Sequence, residues 1–307
     1  LFLFGVLIAL LLGEVGARVV NRFGCEDDSG WFWEQDIHFG WRHTADLGRT
    51  ARRCVGGKAE WEVYSRINSH GLRDREVPYE HGTAPRILVL GDSFTEAFQV
   101  GQEQTFERLL EQRLGMEVVN AGDSGFGTDN SLLFFLDEGW KYRPDLVVLM
   151  FNTGNDILEN DNTLLLGTKF PYPDKPHFEL TDGRLTLLRY PLRPLGIRRT
   201  IEETGNVVLQ RHSALYRRLA WLWSKLWSKV ELPAAHAALP PGPSAFPPLP
   251  RDVYRKDYPE VWREAWRITR GLVLRLRREV EARGSRFVVV ILNSKEEIWP
   301  PYEQLTR

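Results

Sequence analysis

From Arg86 onward the apolar positions fall into blocks that alternate between two periods. RILVLG (86–91), MEVVNAG (116–122) and DLVVLMFN (145–152) are nearly continuous apolar runs of strand length that end in small residues. Runs of this kind mark strands buried on both faces, as in a parallel sheet. Between them, TFERLLEQRL (105–114) carries apolar residues at 106, 109, 110 and 114, and NSLLFFLDEGW (130–140) reads as a second helix. Strand, helix, strand, helix, strand at this spacing predicts a parallel sheet with right-handed crossovers. RFVVVILN (286–293) predicts a fourth strand, preceded by a long Arg-rich helix over 253–283.

The rhythm breaks over 157–250, which reads as an insertion in a doubly wound α/β core. HFELTDGRLTLL (177–188) predicts a hairpin turning at 181–184. VVLQRHSALYRRLAWLWSKLWSKV (207–230) predicts an amphipathic helix bearing Trp221, Trp223 and Trp227. Its aromatic face either packs on the domain or lies on a membrane surface. LPAAHAALPPGPSAFPPLP (232–250) is a proline-rich connector. Upstream, 25–84 is rich in Trp, Gly and Arg, with β-like pieces such as EWEVYSRINS, and predicts a small β-rich extension. The opening LFLFGVLIALLLG sets 13 uncharged residues before Glu14. A spanning helix needs about 20 apolar residues, and the first residue is Leu rather than Met, so the run reads as the tail of a membrane anchor or uncleaved signal segment. No A-x-A-like cleavage site follows it. The expected division is therefore 1–24 as anchor or signal, 25–84 as extension, and 85–307 as the α/β domain with its insertion.

Charge narrows the function classes. Forty Lys+Arg against 41 Asp+Glu leave no electrostatic case for nucleic acid. Cys25 and Cys54 are the only cysteines; in an exported protein they could pair, and their spacing fits no zinc pattern. An anchor implies that the remainder is extracytoplasmic, periplasmic or at the cell surface.

In an open parallel sheet, ligands bind beyond the carboxyl ends of the strands. Those ends read Gly91-Asp92-Ser93, Asn120-Ala121-Gly122-Asp123-Ser124-Gly125 and Asn152-Thr153-Gly154-Asn155-Asp156. All three are small and polar, and all three converge on one sheet edge. Ser93 suits a nucleophile on a tight turn, with Gly91 letting the backbone bend and Asp92 shaping the turn by side-chain hydrogen bonds. Attack on an acyl carbonyl creates an oxyanion that needs preorganised donors. The Ser93 N–H, the Gly125 N–H and the Asn155 side-chain amide offer three.

These residues resemble the SGNH (GDSL-type) hydrolase family. GDSF (91–94) matches its first block, NAGDSG (120–125) resembles its second, aligned at Gly125 rather than Gly122 or Gly127, and GND (154–156) matches its third. The resemblance covers 86–156 and, loosely, 253–293; RINSHGLRDRE (66–76) also resembles the region before the core in membrane-anchored bacterial members. It implies a flavodoxin-like three-layer α/β/α sandwich, ester or acyl-group chemistry, and no metal or cofactor. Ser93 is then the nucleophile, with Gly125 and Asn155 as oxyanion donors, and the substrate a small-molecule, lipid or glycan ester.

The family's base is a histidine in a C-terminal D-x-x-H block. No D-x-x-H follows Arg286 and no histidine follows His236. The expectation is a chain that stops short of its Asp/His pair and is by itself inactive. Asp174-Lys175-Pro176-His177 spells D-x-x-H but lies in the insertion, out of order, and reads better as a loop histidine. His38, His43, His70 and His81 read as structural or surface residues, and Asp156, Glu159 and Asp161 as a solvated acidic face. Gly122, Gly125 and Gly127 do not spell G-x-G-x-x-G and no P-loop lysine follows, so a nucleotide site lacks its phosphate cradle. Two other readings stand beside the hydrolase: an O-acyltransferase that hands the acyl group to a polysaccharide hydroxyl, and a non-catalytic carbohydrate-binding or scaffold relative.

Overall fold

The apolar runs form a parallel sheet that the chain reaches through one helix and two small hairpins. This computed structural model describes residues 2–23, 32–56, 58–80, 82–166, 175–192, 205, 208–209, 212–227, 253 and 257–293. Helix α1 covers Phe2–Phe23. Strands β1 (Trp33–Asp36) and β2 (Gly40–His43) pair antiparallel, and β3 (Gly48–Val55) pairs with β4 (Lys58–Arg66). The core then runs through β5 (Arg86–Gly91), the single turn α2 (Ser93–Glu96), α3 (Phe106–Leu114), β6 (Glu117–Gly122), α4 (Thr128–Asp137) and β7 (Leu146–Asn152). Short helices α5 (Asp156–Glu159) and α6 (Asn162–Leu166) precede the hairpin of β8 (His177–Thr181) and β9 (Arg184–Leu188). Helices α7 (Ala214–Trp227) and α8 (Glu260–Glu281) and strand β10 (Arg286–Leu292) complete the order. The proline-rich connector, Cys25, His81 and Asp174 lie outside the described residues.

The chain forms two compact units. One comprises Leu1–Trp31, Thr50–Val63 and Pro194–Ala245. Within it, Phe2–Val20 is long and apolar enough to cross a membrane or to serve as a signal sequence. Glu14 is an exception to that apolar run, and its carboxylate has a task. It accepts the Ser213 hydroxyl and the N–H groups of Ala214 and Leu215 at 2.8, 2.9 and 3.0 Å, satisfying the start of α7. Cys54 is disulfide-bonded. The side chains of Trp221, Trp223 and Trp227 lie outside the described residues.

The second unit comprises Phe32–Arg49, Tyr64–Arg193 and Phe246–Arg307. Its sheet has the order β10-β7-β5-β6, all parallel. Strand β5, first in the chain, is therefore central: the chain moves to one side for β6 and to the other for β7 and β10. Alternation along the strands builds two cores. Leu88, Leu90, Val119, Val147 and Leu149 pack with α4 and α8, whose Phe135, Trp262, Ile268 and Leu272 are buried. On the other face Ile87, Val89, Val118 and Met150 meet Leu110 of α3. The result is the expected three-layer α/β arrangement with flavodoxin-like strand order. The β8–β9 hairpin turns at Asp182 and Gly183, both with positive φ (49° and 73°), the mirror-image turn that strand twist favours. Helix α8 begins at Glu260, later than its periodicity suggests, because Pro259 removes a donor and disfavours helical backbone at Tyr258.

The acidic residues after β7 do not form the solvated face expected of them. Asp156, Glu159 and Asp161 are all buried. Each acts on local backbone or amide groups: Asp161 accepts the Leu164 N–H at 2.9 Å, Asp156 the Asn152 N–H at 3.2 Å, and Glu159 the Asn155 amide. Charge density along a sequence reports solvation only where the backbone does not recruit the carboxylates as caps. Burial, with Asp92 and Glu159 alongside, pushes the Asp156 carboxyl well above the usual carboxylate range.

Two outcomes follow for stability. Leu88→Ala opens a hole in the central strand and should cost about 2–5 kcal/mol in urea unfolding; a cost under about 1 kcal/mol would mean β5 is not central. Asp156 favours the folded state only while protonated, so its contribution is lost as pH rises from its unfolded value through its raised one. Asp156→Asn should therefore raise the melting temperature at pH 8 and leave it nearly unchanged at pH 4; a lowered melting temperature at pH 8 contradicts this.

Candidate active site

Strand order puts the crevice between the carboxyl ends of β5 and β7, where the chain changes direction across the sheet. Ser93 leaves β5 there as the first residue of α2, and it is half-buried. A helix of one turn cannot hold itself, since nucleation fixes several torsions for one hydrogen bond. Its neighbours hold it from both sides. Asp92, fully buried, accepts the Phe94 N–H at 3.0 Å and so caps α2. Its other carboxylate oxygen accepts the side-chain amides of Asn152 and Asn155 from the β7 side, at 2.9 and 3.0 Å. From β6, the Asn120 amide donates to Thr95 O at 2.9 Å, while its oxygen receives the Gly122 N–H. An asparagine on each flanking strand thus fixes the Ser93 turn.

Gly91 serves this packing in a way the sequence did not suggest. Its φ is not positive; instead, a Cβ there would stand 2.2 Å from Thr95 Oγ1. Close approach of α2, rather than a bend, requires the glycine. Gly125 is the residue that needs the left-handed region, at φ 80°. It lies in the loop between β6 and α4, in which the Phe126 N–H donates to Asp123 O at 3.1 Å.

Asn155 lies next to Asp92 with its amide committed. Nδ2 donates to Asp92 Oδ2 at 3.0 Å and to the two Glu159 oxygens at 3.2 and 3.3 Å. The Glu159 contacts are long and shared between two acceptors. Of the two N–H groups, the one facing Glu159 is the easier to give up to a stronger acceptor.

His177 sits buried in β8 with Nε2 3.6 Å from Glu179. Among the described residues no hydrogen bond joins it to Ser93. Its neighbour Lys175 binds Asp129 and Asn130 at the start of α4, at 2.9 and 2.8 Å.

A second cluster stands beside the Gly125 loop, and sequence reasoning missed it. His43 on β2 is fully buried, as are Glu96 at the end of α2 and Asp123 after β6. His43 Nε2 is hydrogen-bonded to Glu96 Oε1, and Nδ1 lies 3.3 Å from Gly71 O and 3.6 Å from Asp123 Oδ2. The Trp33 indole donates to Asp123 at 2.7 Å, and the Ser124 hydroxyl donates to Glu96. Burial works against a charged imidazole, but Asp123 and Glu96 outweigh it and push His43 up to about 8. The order Ser124–Glu96–His43 is not that of a catalytic triad, because the carboxylate rather than the imidazole meets the hydroxyl.

Among solved structures, the chain is similar to one from Desulfitobacterium hafniense DCB-2 assigned to the lipolytic G-D-S-L family, with 25% identity and a TM-score of 0.22, covering 24% of this chain and 41% of that one. It is also similar to AlinE4, an SGNH-hydrolase family esterase, with 27% identity and a TM-score of 0.23, covering 26% of this chain and 45% of the other. The chain spans less than half the length of either. No curated protein matches. The weight rests on the sequence match to the GDSL-like lipase/acylhydrolase family, which extends over residues 89–289, well over half of the chain, and includes Ser93, Gly125 and Asn155. The chain belongs to the GDSL-like lipase/acylhydrolase family.

Proposed function

We propose that the protein is a serine esterase or acyl hydrolase in which Ser93 attacks the carbonyl of an ester and forms an acyl-serine intermediate. The observation that carries this reading is the Asp92 carboxylate, which holds the nucleophile turn and the Asn155 amide together. The tetrahedral oxyanion is received by the Ser93 N–H, the Gly125 N–H and Asn155 Nδ2, the last released from its long contacts to Glu159. The Ser93 proton passes to a histidine outside the described residues and from it to the leaving alcohol. Water then cleaves the acyl-serine by the same route in reverse. The apolar α1 serves as a membrane anchor, and the catalytic unit faces an extracytoplasmic space, a placement that the Cys54 disulfide supports. Esters of cell-envelope glycans or lipids are the substrates such a placement brings within reach.

Activity of the full-length protein on p-nitrophenyl acyl esters tests the roles. Ser93→Ala should abolish turnover and labelling by a fluorophosphonate; retained turnover removes Ser93 from its role. Asn155→Ala should lower kcat by about 100- to 1,000-fold with little change in KM, as expected for an oxyanion donor; a change in KM alone would mean ground-state binding. Alkaline carbonate should leave the protein with the membrane fraction, and its release would contradict the anchor.

A further inference from the structure

The extension before the sheet reaches the site through the buried charge cluster. Glu96 is the last residue of the four-residue helix that starts at Ser93, and Asp123 precedes Gly125 by two positions. His43 stands between them, with one ring nitrogen toward each carboxylate. Glu96 also accepts the Ser124 hydroxyl, so its two oxygens both act as acceptors. Nδ1 faces a backbone carbonyl and a carboxylate, which only a donor can satisfy. Both ring nitrogens therefore carry protons. A second extension residue grips the same helix: Arg73, fully buried, donates to Glu96 O at 2.7 Å, to Val100 O at 2.6 Å and to Ser65 Oγ at 3.1 Å.

The same three side chains offer one ligand atom each within 4.8 Å of one another, so a divalent cation deserves comparison. A shared ion needs one imidazole lone pair aimed at the point where both carboxylates also aim. Here two different nitrogens meet two different carboxylates, which is the geometry of a bridging cation made by the imidazole itself.

We propose that His43 is a positioning residue for the Ser93 site: as an imidazolium it ties Glu96 of the nucleophile helix to Asp123 of the Gly125 loop, and so fixes the gap between nucleophile and oxyanion donor. This rests on the assignment of Ser93 and Gly125 made above. The extension is then part of the catalytic apparatus, since β2 supplies the tie and Arg73 the grip on α2. The groups that govern the imidazole are Glu96 from α2 and Asp123 from the loop after β6; Arg42 on β2 acts on Asp123, and Arg73 is paired electrostatically with Glu96. His70 lines the same small cavity as Arg42, His43 and Asp123. The charge on His43 is present below its raised value of about 8 and is lost as pH climbs through it, so the tie weakens on the alkaline side. Burial pushes Asp123 up to about 7 even with the His43 charge holding it down, so the tie also weakens as pH falls through that value and is fullest between about 7 and about 8.

The test uses the full-length protein with p-nitrophenyl acetate, comparing wild type, His43→Gln and Ser93→Ala. A displacement of about 1 Å in a reacting group can cost about 100-fold in rate. His43→Gln should therefore lower kcat by about 10- to 100-fold with KM changed less than about threefold, and the decline in kcat expected of wild type near pH 8 should be absent. A cooperatively folded His43→Gln variant with wild-type kcat and the wild-type pH profile overturns the proposal. Turnover retained by Ser93→Ala overturns instead the assignment on which it rests. Should the Gln variant not fold, nitrogen-15 NMR of histidine-labelled wild type decides. Two protonated ring nitrogens on His43 at pH 7, titrating near pH 8, are expected; a neutral imidazole at pH 7 overturns the tie.

Discussion

Asp92 is the group on which the rest of the site depends. Its carboxylate sits at the end of the central strand, fully buried, and accepts hydrogen bonds from three donors on two chain segments. A buried carboxylate is tolerable only when its oxygens are satisfied, so the protein must bring Asn152 and Asn155 to it. That requirement converts two separate strand ends into one object. The parallel sheet supplies the approximate placement through strand order, and the hydrogen bonds supply the rest. Remove the carboxylate, and a one-turn helix loses its cap while two asparagines lose their orientation.

The extension performs the matching task on the other side of Ser93. Asn120 holds Thr95 O from β6, Arg73 holds Glu96 O from the segment after β4, and His43 spans Glu96 and Asp123. Each contact involves a polar group taken out of water, which makes the region expensive to assemble and intolerant of partial satisfaction. The gain is rigidity where the backbone has little of its own. Asp156 shows the cost directly, as a carboxyl with Oδ1 lacking a hydrogen-bond partner among the described residues. Strain of this sort is common next to sites that must hold a fixed geometry.

How much was legible in the sequence depended on whether the signal was local. The four strands were legible because strands buried on both faces leave no polar alternation, and RILVLG and DLVVLMFN say so within single runs. Ser93 and Asn155 were legible because each follows its strand directly, so order along the chain predicts convergence in space. His43 was not. It lies in Gly-Trp-Arg-His with nothing around it to mark a role, and its partners are 53 and 80 positions away. Only the contacts of β2 with α2 and with the loop after β6 reveal the cluster. Asp156, Glu159 and Asp161 misled for a related reason: acidic density suggested solvent, while the irregular backbone after β7 needed acceptors. Asn120 and Asn152 were visible as strand-end residues, but their partners Thr95 O and Asp92 become evident only in three dimensions.

The central claim is that Ser93, Gly125 and Asn155 act on one tetrahedral centre. A crystal structure of the full-length protein inactivated by a small fluorophosphonate tests it most directly, because the phosphonyl oxygen stands where the oxyanion forms. The account predicts phosphorus bonded to Ser93 Oγ, with its free oxygen about 2.7–3.1 Å from the Ser93 N, the Gly125 N and Asn155 Nδ2. It also predicts that the Asn155–Glu159 contacts are lost while Asn155–Asp92 persists. A phosphonyl oxygen that points to solvent, or an adduct on another residue, contradicts the account.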